Sequence, residues 1–594
     1  MMYPRTTVFR AILLTCLILL SFSFASAQAS QVGDTIIDTL TIEDHDYTYT
    51  LQLPTEWAGG PLVVMLHPMA SSGTAMRYIT DMDAAAEAHG YAVVYPDSIS
   101  QGWNDGRSDA GMSVIGGERD DVAYINTLVD TLIAEYDVDP DQVFLVGNGN
   151  GGTMAYHIAC TTPERYAKVA VVGALMWQYQ IDVCSQDTPA VDLLMLIGGQ
   201  DVFYPSGGNQ IPTNSGVQII TSLPETMTYW IDHNACDTSI IDIPFDSLVQ
   251  YTGCENGTSV NVYGVPGGGN NWMRTGDYAL NQTGLDATAV VMGYLADDDA
   301  WTAQPDNLLL DTSDMPRPRT YRVYVPQSYD PSEPTPFVFV LHGRPDNGNG
   351  IAYITGMSDV ADENNFIVIY PDGFNFGWNY VRGSDYFNDV GDQDDTAFFR
   401  GLIEDLSVDF NLDRSRGYVT GFSNGGFMTH RLACEAPDLF AAFAPIAGSL
   451  YQGIEDVCNP SGVPVPILLM HGTEDESIPW NGTRVPGQLG GEIIVSASVP
   501  EYIAFWTRYN GCNPEDGGDY ETLPNQETDD VTFTEFRRFA DCNGRGMIDA
   551  YLIDGGGHTW PGRDVLSGLG TTSMDFNGSE VIWEFFTEHS LPVE

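Results

Sequence analysis

The chain has 594 residues, 43% of them hydrophobic, enough to build packed cores and to exclude wholesale disorder. Its 23 basic and 81 acidic residues leave a formal net charge of -58, which repels nucleic acid at every phosphate and disfavours anionic membrane surfaces. Acidity on this scale reads either as a solvated surface that keeps an exported protein soluble or as adaptation to high salt, where self-repulsion is screened.

In chain order, the first feature is an export signal. Arg5 and Arg10 flank the start of an apolar run over residues 11–20, and Ala25-Ser26-Ala27 forms a small-x-small cleavage site. Residues 1–27 are therefore expected to be a signal peptide, with a mature chain starting near Gln28. Cys16, preceded by Thr15, fits a lipoprotein signal poorly. No later segment reaches the ~18 unbroken apolar residues a spanning helix needs, so a soluble, secreted, extracellular protein is expected. Beyond Cys16 the cysteines are Cys160, Cys184, Cys236, Cys254, Cys434, Cys458, Cys512 and Cys542. An even number in an exported chain reads as disulfides. Zinc is the poorer reading, because no C-x-x-C pair occurs and the cysteines do not cluster with histidine.

The chain then repeats itself. His67 and His342 stand 275 residues apart, as do Tyr95-Pro96-Asp97 and Tyr370-Pro371-Asp372, and Gly102-Trp103-Asn104 and Gly377-Trp378-Asn379. Cys160 and Cys434 stand 274 apart, as do Cys184 and Cys458. A period this long is a duplicated domain, not a solenoid unit. The polar, breaker-rich stretch around Asp297-Asp298-Asp299 and Gln304-Pro305-Asp306 places the boundary near residue 300, giving domains 28–299 and 300–594. Four cysteines fall in each copy. The simplest pairing is Cys160–Cys184, Cys236–Cys254, Cys434–Cys458 and Cys512–Cys542, although the repeat alone does not choose among three connectivities per copy.

Within the second copy, residues 337–341 (FVFVL), 366–370 (FIVIY), 417–420 (GYVT) and 466–470 (PILLM) read as strands. Residues 396–410 carry Phe398, Phe399, Leu402, Ile403 and Leu406 at helical spacing. Short apolar strands alternating with helices predict an α/β fold, a mainly parallel sheet flanked by helices in each copy. Such sheets place their sites at the carboxyl ends of the strands.

The strand at 417–420 runs into Gly421-Phe422-Ser423-Asn424-Gly425-Gly426, a G-x-S-x-G turn followed by a helical segment. That context holds a serine on a tight elbow above the sheet, as α/β-hydrolases do. A hydroxyl needs a base to take its proton, and in this fold the partners follow in the order acid, then histidine. Asp475, in His471-Gly472-Thr473-Glu474-Asp475, and His558, in Gly557-His558-Thr559-Trp560, meet that order. Ser423 is expected to attack, His558 to shuttle the proton and Asp475 to orient the imidazole, with Glu474 a rival acid. The backbone amides of Asn424 and Arg344 are the expected oxyanion donors. His342 is read as shaping the loop that carries Arg344.

In the first copy the elbow is Gly147-Asn148-Gly149-Asn150-Gly151, so Gly149 stands where Ser423 stands. Asp201 matches Asp475, and Asn270 stands in place of His558. A glycine cannot attack and an asparagine cannot take a proton at neutral pH, so this copy is expected to be catalytically inactive.

The run GYVTGFSNGGFMTHRLAC at 417–434, with HGTEDESIPW at 471–480 and GGGHTWPG at 555–562, resembles the secreted feruloyl esterase and polyhydroxybutyrate depolymerase family of α/β-hydrolases. The resemblance implies two tandem α/β-hydrolase domains and a Ser-His-Asp esterase without metal or organic cofactor. It implies action on hydroxycinnamoyl or acetyl esters of plant polysaccharide, or on short-chain polyesters. Arg344-Pro345 replaces the small residues usual after the first His-Gly, and an inactive first copy is not part of the family's pattern. Trp378, Trp480 and Trp560 lie close to the motifs and are candidate pocket walls or core residues. Rival readings are a polyester depolymerase, a peptidase with the same triad, and a two-domain polysaccharide- or polymer-binding protein that kept only the fold. For the first copy, polymer binding and plain structural support both stand open.

Overall fold

The computed structural model describes residues 33–42, 45–107, 119–184, 188–213, 216–237, 248–273, 285–302, 319–380, 393–451, 453–458, 462–486, 492–513, 519–526, 530–566 and 568–592. The expected signal peptide at 1–27 and residues 303–318 of the expected linker region lie outside them.

The first half contributes β1 (Thr35–Ile42), β2 (His45–Gln52), β3 (Gly60–Leu66), β4 (Ala92–Pro96), β5 (Val138–Asn148), β6 (Lys168–Val172), β7 (Leu193–Gly198), β8 (Asn209–Thr213), β9 (Gly216–Ile220), β10 (Leu248–Tyr251) and β11 (Val260–Val265). The second contributes β12 (Tyr321–Tyr324), β13 (Thr335–Leu341), β14 (Ile367–Pro371), β15 (Leu412–Phe422), β16 (Ala442–Ile446), β17 (Pro466–Gly472), β18 (Thr483–Pro486), β19 (Glu492–Ser496), β20 (Asp519–Thr522), β21 (Phe533–Phe539) and β22 (Met547–Asp554). Two nine-stranded sheets result, ordered β1-β2-β4-β3-β5-β6-β7-β11-β10 and β12-β14-β13-β15-β16-β17-β22-β21-β20. In each, the strands from β3 to β11 or from β13 to β22 that form the middle of the sheet pair in parallel, and antiparallel strands flank them. β8–β9 and β18–β19 are small separate hairpins.

Central strands such as β13 are buried at every residue, because helices cover both faces of a parallel sheet; hence the unbroken apolar runs in the sequence. The strand expected at 417–420 extends to Leu412–Phe422. After buried Leu412, residues 413–416 alternate between half-buried and exposed where the sheet rim meets water, so they lack an apolar signature. The expected helix at 396–410 is Asp395–Asp409, started by Asp394, whose carboxylate accepts from the Ala397 amide.

The halves touch. Ser71 and Ser72, at the start of the helix Gly73–Thr80, donate their hydroxyls to the carbonyls of Val323 and Val325 on the edge strand of the second sheet, at 2.8 and 2.7 Å. Edge carbonyls left open invite foreign strands, and these hydroxyls cap them. Tyr78 from the same helix packs edge-on against Tyr329 and Phe410.

Disulfides join Cys160 to Cys184, Cys236 to Cys254, Cys434 to Cys458 and Cys512 to Cys542, the repeat-based pairing. Cys434–Cys458 ties the helix after the elbow, Asn424–Glu435, to the helix Ile454–Cys458 across 24 residues. Replacing both cysteines by alanine is expected to lower unfolding stability by about 3 kcal/mol, through the loop entropy returned to the unfolded chain. Thermal melts of oxidised parent and variant measure it, and equal melting temperatures would deny the bridge a stabilising role.

Candidate active site

Strand β15 runs straight into Ser423, whose backbone (φ 55, ψ -116) is strained for any side-chain-bearing residue. The turn needs its flanking glycines: a Cβ on Gly421 would sit 2.4 Å from the Gly425 carbonyl oxygen, and one on Gly425 would sit 2.2 Å from that of Leu341. Ser423 donates its amide to the Ile446 carbonyl at 3.0 Å and occupies the N-cap position of the helix Asn424–Glu435. The loop after β13 lies against it, since a Cβ on Gly343 would be 3.3 Å from that of Ser423; the next amide is that of Arg344.

His558 sits on the loop after β22, fixed by its amide's bond to the Leu569 carbonyl at 2.7 Å. Its ring centroid is 4.8 Å from that of Phe422, the neighbour of Ser423. Nδ1 lies 2.7 Å from Asp475 Oδ2. A carboxylate can only accept, so Nδ1 carries the proton and Nε2 is left as the basic nitrogen. The other carboxylate oxygen, Oδ1, accepts from the amides of Ser477 and Ile478 at 2.9 and 2.7 Å, which locks the orientation of Asp475. The rival Glu474 is exposed, whereas Asp475 is buried.

His342 is a neutral spacer. Its Nε2 accepts from the Gly373 amide at 2.7 Å, its Nδ1 bonds the Gly343 carbonyl at 2.7 Å, and burial lowers its pKa. Asn424 Oδ1 accepts from the Trp378 amide at 2.7 Å. Trp378 and Trp560 correct one expectation: at 1% and 0% exposed, neither offers a face to a substrate. Trp378 is spent holding the His342 carbonyl through its indole N–H at 3.0 Å, and Trp560 donates to Ser579 Oγ at 3.1 Å. Trp480 is half-buried, and of the three it alone keeps exposed surface.

Sequence reasoning missed the layer behind Asp475. His471 Nε2 donates to the Ile478 carbonyl at 2.8 Å and lies 3.6 Å from Asp475 Oδ2. Burial lowers its pKa, so it sits there neutral. Trp506 donates to His430 Nδ1 at 3.0 Å, and burial pushes His430 down to about 3. At the repeat offset the first half has Ile197 and Tyr156 at these positions. That contrast was available from the sequence and marks a polar support present only where the His–Asp pair is complete.

The first half keeps the scaffold without the pair. Gly149 holds the same elbow backbone, φ 54 and ψ -117. Asp201 Oδ1 accepts from the amides of Phe203 and Tyr204, both at 2.9 Å, as Asp475 does from its own loop. Among the described residues, its Oδ2, which would face an imidazole, has no hydrogen-bond partner, and neither has Asn270 Oδ1. Burial therefore raises the Asp201 pKa to about 6, against the pull of those two amides and of Arg322. The folded state holds this proton more tightly than the unfolded chain, so stability is full below about pH 4 and is lost as pH rises to about 6. Asp201→Asn is expected to stabilise the protein at pH 7.5 by on the order of 2 kcal/mol, with the gain vanishing near pH 4. Urea midpoints at the two pH values check this, and equal midpoints at pH 7.5 would contradict it.

Comparison with known proteins agrees with this organisation. A family model described as Esterase PHB depolymerase matches residues 47–186 and again residues 319–459. Feruloyl esterase C of Emericella nidulans is 28% identical over 275 residues, covering 45% of this chain and 83% of that protein. Feruloyl esterase B of Piromyces equi is 30% identical over 203 residues, 34% of this chain and 32% of that protein. Among solved structures, the acetyl xylan esterase from Aspergillus awamori aligns with 40% of this chain at 17% identity and a TM-score of 0.30. With the family's domain matched once in each half, this chain is a carboxylic ester hydrolase that belongs to the Esterase PHB depolymerase family of α/β-hydrolases.

Proposed function

We propose that the chain is a secreted serine esterase with one working site, in its second half, that cleaves hydroxycinnamoyl or acetyl esters of plant polysaccharide. The observation that carries the reading is the buried His558–Asp475 pair at 2.7 Å, set beside a serine on a strained elbow. In the proposed cycle His558 Nε2 takes the proton of Ser423 as Oγ attacks the ester carbonyl. The amides of Asn424 and Arg344 hold the oxyanion, and His558 returns the proton to the departing alcohol. Water, activated by the same nitrogen, then cleaves the acyl-serine and releases the acid. Gly149 and Asn270 leave the first half without nucleophile or base, so it takes no part in this chemistry. Four disulfides and the feruloyl esterase relatives support the extracellular setting and the acyl class.

The test is initial-rate hydrolysis of methyl ferulate and p-nitrophenyl acetate, beside release of hydroxyacid from an insoluble polyhydroxyalkanoate. Methyl ferulate turned over with a kcat/KM comparable to or above that of the acetate supports the feruloyl reading. Polyester hydrolysis without methyl ferulate turnover replaces it with the depolymerase reading.

A further inference from the structure

The two halves differ around the elbow in more than nucleophile and base. In the second half Tyr380 stacks on Phe427 at 4.7 Å and lies 5.6 Å from Tyr451, an aromatic cluster. At the repeat offset the first half has Asp105, Thr153 and Trp177. Asp105 is buried and fully used: Arg107 donates to both of its oxygens at 2.6 and 2.7 Å, and Tyr179 donates its hydroxyl at 2.9 Å. Thr153 and the Asn150 amide add bonds at 2.5 and 3.2 Å. Gln180 donates to the carbonyls of Asp105 and Thr153 at 3.1 and 2.8 Å. Burial alone would raise the Asp105 pKa, but Arg107 and the two hydroxyls outweigh it and hold it below the usual range. A desolvated ion pair is costly unless every polar atom is satisfied.

This network backs a cavity of about 320 Å³ that contains Arg107 and Trp177 together with the vestigial positions Gly149 and Asn270. The second half closes it, with Asn349 and Tyr353 among its walls. A second cavity of about 550 Å³, which holds Gln200 and Asp201, shares Phe203, Arg322, Asn347 and Asn349 with the first, so the two are lobes of one cleft between the halves. Among the described residues, six buried polar atoms without a hydrogen-bond partner belong to its lining: Trp177 Nε1, Arg319 Nη2, Asp201 Oδ2, Asn270 Oδ1, Gln200 Oε1 and Asn349 Oδ1. Trp177, Asp201 and Asn270 are only 4%, 5% and 3% exposed, so these atoms have little access to bulk water.

The lining selects a ligand class. Four of the six are acceptor oxygens and two are N–H donors, which call for a ligand rich in hydroxyls, since a hydroxyl both donates and accepts. Arg107 is paired with Asp105 and Arg319 with Asp395, Arg322 lies within electrostatic range of Asp201, and a chain of net charge -58 repels anions. Phe203 and Tyr353 keep exposed ring surface for the C–H faces of sugar rings. We propose that the vestigial site of the first half, closed by the second, is a binding cleft for a neutral oligosaccharide. The loop that follows His342 serves both places: Gly343 lies against Ser423, and Asn347 and Asn349 line the cleft. A glycan held there would touch the same loop that lies against Ser423.

The test is calorimetric titration of the full Ser423→Ala chain with xylotriose and with cellotriose, and with trigalacturonate and ferulate as charged probes. At least one neutral trisaccharide should bind at a single site. Trp177→Phe and Asn349→Ala should each weaken it about tenfold, the loss of one well-placed contact, in chains that still melt cooperatively. No binding of either neutral sugar, tighter binding of the charged probes, or binding unchanged in both variants would overturn the proposal. The last result would place the sugar beside position 423 instead. Because the nucleophile is absent from the chain tested, failure here leaves the esterase reading intact, and failure of that reading leaves this one standing.

Discussion

Ser423→Ala lowers kcat/KM for p-nitrophenyl acetate by roughly 100,000-fold, down to what the amides of Asn424 and Arg344 supply alone. The size follows from the absence of any substitute. At the equivalent elbow of the first half stands Gly149, which has no side chain to attack with. The loss should be confined to chemistry. Alanine keeps the Cβ that already sits in the strained turn, and the amide bond from residue 423 to the Ile446 carbonyl needs no side chain. The melting temperature should therefore shift by no more than a surface substitution shifts it. A rate close to the parent's would place the nucleophile elsewhere.

Asp475→Asn should cost about 10,000-fold in kcat while leaving KM little changed, because the geometry dictates which way the amide turns. Oδ1 of Asp475 accepts two backbone N–H groups, from Ser477 and Ile478. In the asparagine variant the carbonyl oxygen must keep that place, so the NH2 takes the position of Oδ2, 2.7 Å from His558 Nδ1. A donor there forces Nδ1 to accept, which moves the imidazole proton to Nε2. The ring then presents a donor to Ser423 and cannot act as its base. Single-turnover rates beside steady-state kinetics separate this tautomer trap from loss of substrate binding. A fall confined to KM would contradict it.

The candidate site was legible in the sequence because its signals are local. G-x-S-x-G between a strand and a helix, an acid just after the strand at 466–470, and a histidine in a glycine-rich run each depend on a few adjacent residues. The internal repeat supplied a second reading of the same pattern, with Gly149 and Asn270 as informative gaps. It also suggested the simplest cysteine pairing, with Cys160–Cys184 and Cys434–Cys458 recurring at one offset, without choosing among the three connectivities per copy. What stayed hidden depends on three-dimensional neighbours. Trp378 and Trp560 lie beside the motifs in sequence, yet their indole N–H groups are committed to His342 and Ser579, which turns them inward. Nothing in the residues near His342 announces that Asn347 and Asn349 would close a cleft on Asp201 and Trp177, far away in the chain. The Asp105–Arg107 network was hidden for the same reason, since its partners Asn150, Thr153, Tyr179 and Gln180 come from two separate later segments.

The most direct test of a single working site is covalent labelling of the mature chain with an alkyl fluorophosphonate, read by intact mass and by peptide mapping. The account predicts one phosphonyl group per chain, on Ser423, with loss of esterase activity in proportion to labelling and no labelling of Ser423→Ala. Two groups per chain, or one on a serine of the first half, would contradict it.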